Sequence, residues 1–261
     1  MNNDTDNLFR YERQITFLGL GIDGQKKLAA SSALVIGVGG LGSWSAELLA
    51  RAGVGHLRLV DGDVVELNNL HRQGLYSEDD VNSGRPKTQA AARRLKKINS
   101  SIRVEAIVDR VTAGNIEGLS AGIDLIVDGT DNFQTRFIIN DFCVKHGRSW
   151  VFAGVIGSEA QVMAVIPGKT ACLRCIYDSP APPCVEPTCR AAGAIGPAVS
   201  AIASLAAAEA IKILAGKTEC VSPYLTKFDL WANTIQRIDA TAAAKNINCT
   251  CCKQRYFEYL E

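Results

Sequence analysis

Three groups of residues in this 261-residue chain have types and spacings that suit chemistry. The first is VIGVGGLG, residues 35–42, which sets Gly37, Gly39 and Gly42 in a G-x-G-x-x-G pattern with Gly40 between them. Such a loop lets backbone approach a phosphate or adenosine closely, and the helix that follows favours negative charge at its N-terminus. A second apolar run, LRLVDGD, ends at Asp61, at the spacing that places an acid on ribose hydroxyls.

The second group is the polar stretch DGDVVELNNLHRQ followed by GRPK. It gathers Asp63, Asn69, Arg72 and Gln73, with Lys87 at a helix start. A hydride-transferring enzyme has no need of two cations and an amide beside its nucleotide loop. Cleavage of ATP between the α- and β-phosphates does, because negative charge builds on the α-phosphate and on the leaving pyrophosphate. Arginine offers a fork matched to phosphate and lysine a compact point charge. No GxxxxGK[ST] motif is present, which excludes a P-loop enzyme. Further on, LIVDGTDN ends a buried strand at Asp128, where a carboxylate can hold Mg²⁺ between phosphates. Asp131 reads as the N-cap of the next helix.

The third group is the cysteines, nine in all. CLRC and CTCC supply two C-x₂-C pairs, Cys172 with Cys175 and Cys249 with Cys252. Four thiolates so paired are the ligand set of a closed, tetrahedral structural Zn²⁺ site, which would pin the C-terminal tail to the middle of the chain. Cys251 offers an alternative register, and Cys184 with Cys189 a looser competing pair. Cys189 stands in PTCRAAGAIGP, beside Arg190 and ahead of an Ala-rich helix, a setting that favours thiolate and makes it a candidate nucleophile. None of His56, His71 or His146 is placed for a Cys–His pair, so a hydrolase is not expected. Packing accounts for Cys143 and Cys220.

Alternating elements position these groups. Helix is expected over 10–30 in two pieces broken near Gly19, Gly21 and Gly24. Strand 33–37, helix 41–52, strand 56–60, helix 86–98 with Pro86 in its first turn, strands 102–107 and 123–128, helix 132–146 and strand 149–155 follow. After residue 155 the pattern changes to antiparallel segments at 158–166 and 223–239, separated by a cysteine- and proline-rich loop and a helix over 195–215 closed by Gly216. The fold class is therefore α/β, a Rossmann-like, mostly parallel sheet with helices on both faces, continued by an antiparallel C-terminal portion carrying the four-cysteine zinc site. The long polar loop 62–85 is a functional candidate on length alone. We read one domain over 1–261, with a nucleotide-binding half at 8–155 and a second functional half at 156–261.

A formal charge of +1 gives no nucleic-acid-binding surface. The apolar stretch 191–208 is mostly Ala, Ser and Gly with Pro197 inside, which suits a buried helix rather than a membrane span. The polar N-terminus carries no signal peptide, so a reducing cytoplasm is expected.

The assembled motifs resemble the MoeB/ThiF/HesA adenylyltransferases, bacterial relatives of ubiquitin-activating enzymes. RYERQ, GVGGLG, DGDVVELNNLHRQ, GRPK, DGTDN, the paired cysteines and TCRAAGAIGP follow in that family's order over residues 8–252. The resemblance implies that a small ubiquitin-like sulfur-carrier protein inserts its C-terminal Gly-Gly tail, whose carboxylate attacks the α-phosphate of MgATP. Pyrophosphate leaves, and the carrier acyl-adenylate is converted to a thiocarboxylate by a sulfur donor such as a cysteine desulfurase or rhodanese. It further implies that Asp61 contacts ribose, that Asn69, Arg72 and Lys87 hold the triphosphate with Gln73 beside them, and that Asp128 is associated with Mg²⁺. Arg13 matches an arginine that crosses a homodimer interface into the neighbouring site. Cys172, Cys175, Cys249 and Cys252 match the zinc ligands, and the half at 156–261 would dock the carrier. Cys189 matches a loop cysteine that in some members joins the activated carrier covalently. The pathway implied is of the thiamine-thiazole or molybdopterin type. Other readings of the same residues are adenylation of a peptide or other carboxylate, a nicotinamide-dependent oxidoreductase, and a non-catalytic partner.

Overall fold

The computed structural model describes residues 8–177, 179, 192–245 and 248–261. Eight strands form one sheet in the order β3-β2-β1-β4-β5-β6-β7-β8. They are β1 (Ser32–Ile36), β2 (His56–Val60), β3 (Arg103–Ile107), β4 (Leu125–Asp128), β5 (Ser149–Ile156), β6 (Glu159–Val165), β7 (Tyr224–Asp229) and β8 (Thr234–Asp239). Pairing is parallel from β3 through β5 and antiparallel from β5 through β8. The strand order reverses between β1 and β4. A crevice therefore opens there, at the carboxyl ends of the strands, where sheets of this type take ligands.

Period-two alternation decides which side chains face which layer. Ala33 and Val35 of β1 enter one core, which they share with α3 (Gly40–Ala52), α5 (Lys87–Ile98) and α8 (Gly196–Leu214). Leu34 and Ile36 enter the other, with α6 (Ile116–Leu119), α7 (Phe133–His146), Cys172, Cys249 and Cys251. Helices on both faces and the antiparallel continuation are as expected from the sequence. By length and composition α8 could cross a membrane. Half of it is buried, however, and it packs on α3, β5 and β6 as a core helix.

Three local expectations are corrected. The helix expected from residue 10 starts at Glu12, after a turn at 10–11, and breaks at 17–20, between α1 (Glu12–Thr16) and α2 (Gly21–Ala30). Gly24 lies inside α2, where its missing side chain admits Leu20 and Ala215. Pro86 is the N-cap of α5 rather than its first helical residue. Asn132, not Asp131, caps α7, its side-chain oxygen accepting from the Thr135 N–H at 2.9 Å. The loop 62–85 is also more structured than its composition implies. It holds a 3₁₀ turn at Leu67–Asn69 and α4 (Glu78–Asn82), each closed by a capping box.

Candidate active site

β1 delivers the chain into the glycine loop, and backbone geometry explains the glycines there. Gly37 has φ +78°, and a Cβ on it would sit 2.8 Å from the carbonyl oxygen of Gly129. A Cβ on Gly42 would collide with the Gly37 carbonyl oxygen, so the first turn of α3 can pack on the loop only without one. The Val38 peptide is clamped at both ends. Its N–H donates to Asp61 Oδ2 at 2.7 Å, and its carbonyl accepts from the hydroxyl of half-buried Tyr76 at 2.5 Å. The second oxygen of Asp61 accepts from the Asp63 N–H at 2.8 Å. Asp61 thus ties the loop to the end of β2 while facing the crevice.

The loop 62–85 is anchored from two sides. Trp44 on α3 donates its indole N–H to the Arg72 carbonyl at 3.0 Å, and Gly196 at the start of α8 leaves room for the His71 carbonyl. Asn69 and Gln73 are nearly buried, and Gln73 reaches Gly39. Arg72 donates to the Asn68 carbonyl at 2.8 Å and lies against the His71 ring. Lys87 is buried at the start of α5, with Nζ 3.1 Å from Asp63 Oδ2, while Arg110 takes the other Asp63 oxygen at 2.6 Å. Burial pushes the Asp63 carboxyl up, but the Lys87 and Arg110 charges outweigh it and hold it below the usual carboxylate range.

These groups share one cavity of about 1680 Å³ at the carboxyl edge of the sheet. Gly37, Gly39 and Gly40 line it, as do Asp61, Asp63 and Asn69, and then Arg72, Gln73 and Lys87. Gly42 stands behind the loop as a packing position. Arg13 is exposed on α1 and does not line the cavity; its neighbours Phe9, Phe17 and Leu18 are exposed apolar groups. Cys184, Cys189 and Arg190 lie outside the described residues.

The two aspartates of DGTDN separate. Asp128 is fully buried and is not part of the cavity lining. One of its oxygens accepts from the Thr130 N–H and hydroxyl at 2.8 and 2.6 Å, the other from Arg136 Nε at 3.0 Å. Burial raises its carboxyl, with Arg136 and Thr130 pulling the other way. Asp131 instead is exposed and lines the cavity, so it is the carboxylate of this motif that a cation among phosphates can reach. Arg136 carries the line of contacts onward, donating to the Thr130 and Ala153 carbonyls at 2.7 and 3.0 Å.

Beyond the parallel strands, Cys172, Cys175, Cys249 and Cys252 converge, with all four sulfurs within 4.8 Å of one another. The Cys172–Cys175, Cys172–Cys249 and Cys175–Cys252 separations are 3.7, 3.6 and 3.5 Å. A tetrahedron with Zn–S bonds of about 2.3 Å has edges of about 3.8 Å, so the donor set fits that ion. Cys251 is not one of the four: its sulfur accepts from buried Asn140 at 3.3 Å, while Asn140 Oδ1 accepts from the Leu173 N–H at 2.8 Å. One side chain of α7 thus braces both arms of the cysteine cluster. Cys143 is a core residue and Cys220 is exposed.

The ThiF family matches residues 11–251. The chain belongs to the ThiF family. Among its relatives is the sulfur carrier protein ThiS adenylyltransferase of Bacillus subtilis (strain 168), 45% identical over 251 residues, 96% of this chain and 73% of that protein. The sulfur carrier protein adenylyltransferase of Thermus thermophilus is 36% identical over 252 residues, 95% of this chain and 91% of that one. Among solved structures, E. coli MccB with ATP superposes with a TM-score of 0.78 at 26% identity, covering 97% of this chain and 75% of that chain.

In this ThiF-family chain several cavity residues carry no motif in the sequence. Arg110 follows β3, where no spacing marks it, and Asp131 follows β4, where its spacing suggests a helix cap instead. Tyr177, Glu258 and Tyr259 also line the cavity. The one available signal was composition: RYFEYLE is rich in aromatics and closely follows the last cysteine pair.

Proposed function

We propose that this protein uses ATP to adenylate the C-terminal Gly-Gly carboxylate of a small ubiquitin-like sulfur carrier, the activating step for thiocarboxylate formation of the thiamine-thiazole or molybdopterin type. The observation that carries the reading is the convergence in one cavity of the glycine loop and Asp61 with the cations Arg72 and Lys87. Its support is membership of the ThiF family, with relatives that are named for this reaction.

The carrier carboxylate oxygen attacks the α-phosphorus of ATP; that bond forms as the bond to the β-phosphate bridging oxygen breaks and pyrophosphate leaves. No protein nucleophile is needed, because positioning and neutralisation of developing charge suffice. Gly37, Gly39 and Gly40 receive the nucleotide, Asp61 the ribose, and Asn69, Arg72, Gln73 and Lys87 the phosphates. Asp63 holds Lys87 in position. Asp131 and the phosphates would hold Mg²⁺, which when bound neutralises charge on them. Asp128 acts through Thr130 and Arg136 and not by direct contact. Arg13 would reach the site of the second copy in a homodimer, through a face that carries Phe9, Phe17 and Leu18. Cys172, Cys175, Cys249 and Cys252 would hold a structural Zn²⁺. Residues 8–155 form the ATP-binding half and residues 156–261 the carrier-docking half. Cys189 is assigned to a later covalent step, and a cysteine desulfurase or rhodanese supplies the sulfur. The cytoplasm, where thiols stay reduced and free for zinc, suits this chemistry.

ATP–pyrophosphate exchange with and without Gly-Gly carriers tests the reading. Carrier-dependent exchange that falls about 100-fold or more in Arg72→Ala is expected, the scale for losing one group that stabilises transition-state charge. Exchange that ignores every Gly-Gly carrier would sink it.

A further inference from the structure

The cavity is larger than a nucleotide needs. Its volume of about 1680 Å³ exceeds the roughly 300–1,000 Å³ usual for a small-molecule site. It runs from Arg110, after β3, to Gln161 on β6. Those strands are five spacings apart in the sheet, which is about 24 Å. The nucleotide groups occupy the β1–β3 side, so the half over β5 and β6 is free for a second reactant.

That half has an aromatic wall. Phe133, Tyr177 and Tyr259 all line it. The Phe133 and Tyr177 rings are 5.3 Å apart, and Tyr259 stacks at 4.8 Å on Phe137, itself 6.2 Å from Phe133. Two of the three lining rings leave from the cysteine cluster. Tyr177 comes two residues after Cys175, and its hydroxyl donates to Gln161 Oε1 at 2.7 Å, which sets the ring's direction. Tyr259 follows Cys252 in the tail. Its N–H donates to buried Asp141 at 3.2 Å and its ring lies under the Arg174 guanidinium at 5.2 Å. Arg174, between the first two cysteines, is fixed in turn by Asp141 at 3.5 Å and Glu258 at 3.1 Å.

We propose that this wall reads the last residues of the carrier, with Tyr177 and Tyr259 as specificity-determining residues presented by the two arms of the cysteine cluster. With Phe137 and Arg174 against its faces, Tyr259 offers a ring edge; a glycine backbone packs on such an edge at contact distance, whereas a Cβ at the same place would lift the chain away from the phosphates. The proposal rests on the function inferred above and adds to it the residues that select the tail.

The test is exchange with one carrier ending Gly-Gly or Gly-Ala, together with calorimetry using ATP alone and zinc analysis. The wild type is expected to favour Gly-Gly. Tyr259→Ala should raise the KM for the Gly-Gly carrier about tenfold and narrow the Gly-Gly to Gly-Ala ratio to a similar degree, the range that small groups command in a pocket. ATP affinity and zinc content should hold, and Tyr259→Phe should restore both carrier properties, because the ring carries the contact. Should Tyr259→Ala lose zinc, Tyr177→Ala on the other arm carries the same expectation. An unchanged ratio, or a loss that falls on ATP affinity, overturns the proposal. Wild-type exchange that no Gly-Gly carrier stimulates overturns the proposed function and this inference with it.

Discussion

The two ends of the cavity are held by opposite means. At the nucleotide end, backbone and near neighbours do the work. The longest link in the loop clamp, Tyr76 to Val38, spans 38 residues, and that from Val38 to Asp61 spans 23. At the far end two ties join residues more than a hundred positions apart. Asn140 meets Cys251 across 111 residues, and Asp141 meets Tyr259 across 118. A short-range clamp needs only a strand, a glycine turn and an acid at one spacing. A long-range clamp closes a large loop, and since closure entropy must be met, a metal holding four thiolates is a fitting device. A metal bound there would add its binding free energy to the stability of the fold.

The separate construction of the two ends is tested most severely at the cysteines. Cys172→Ser is expected to lose about one Zn²⁺ per chain and to lower the thermal midpoint steeply, while ATP binding measured by calorimetry survives. Loss of both together would mean that the two ends are not separately built. The next largest effect divides the aspartates of DGTDN. Asp128→Ala leaves the Arg136 guanidinium buried without its carboxylate, at a cost of about 3–5 kcal/mol in urea unfolding. Asp131→Ala should stay within about 0.5 kcal/mol of the wild type and lose exchange all the same. The reverse pattern would return the cation site to Asp128.

The smallest effect concerns Asp63. Its carboxyl is depressed in the fold, so its pairing with Lys87 and Arg110 stabilises above the ordinary aspartate value and is lost as pH falls through the depressed one. Asp63 is half exposed, so the pair is worth less than about 1 kcal/mol. The midpoint difference between the wild type and Asp63→Asn should be greatest near neutrality and shrink below about pH 4. A difference that widens on acidification would remove Asp63 from that role.

Legibility in the sequence follows the same divide. The parallel strands, the glycine loop and the place of Asp61 were readable because each is a local pattern: an apolar run, a turn only glycine can make, a fixed interval. The pairing of CLRC with CTCC was also readable, because two C-x₂-C motifs name each other by chemistry. The aspartates were not. Asp128 and Asp131 differ by three positions in a strand-to-helix turn, and spacing alone gives both a credible task. Only the burial of Asp128 against Arg136, eight residues on, and the capping of α7 by Asn132 separate them.

The sequence by itself determined the doubly faced α/β sheet, the nucleotide turn and the four-cysteine set. Those rest on periodicity, on backbone freedom at Gly37 and Gly42, and on ligand chemistry, all of which are properties of short segments. Tertiary structure alone decided which carboxylate faces the cavity. It also brought Arg110 beside Lys87 and carried the tail through Tyr259 across to α7. Those are outcomes of packing between distant segments, where burial and partner, not residue type, set what a side chain can touch.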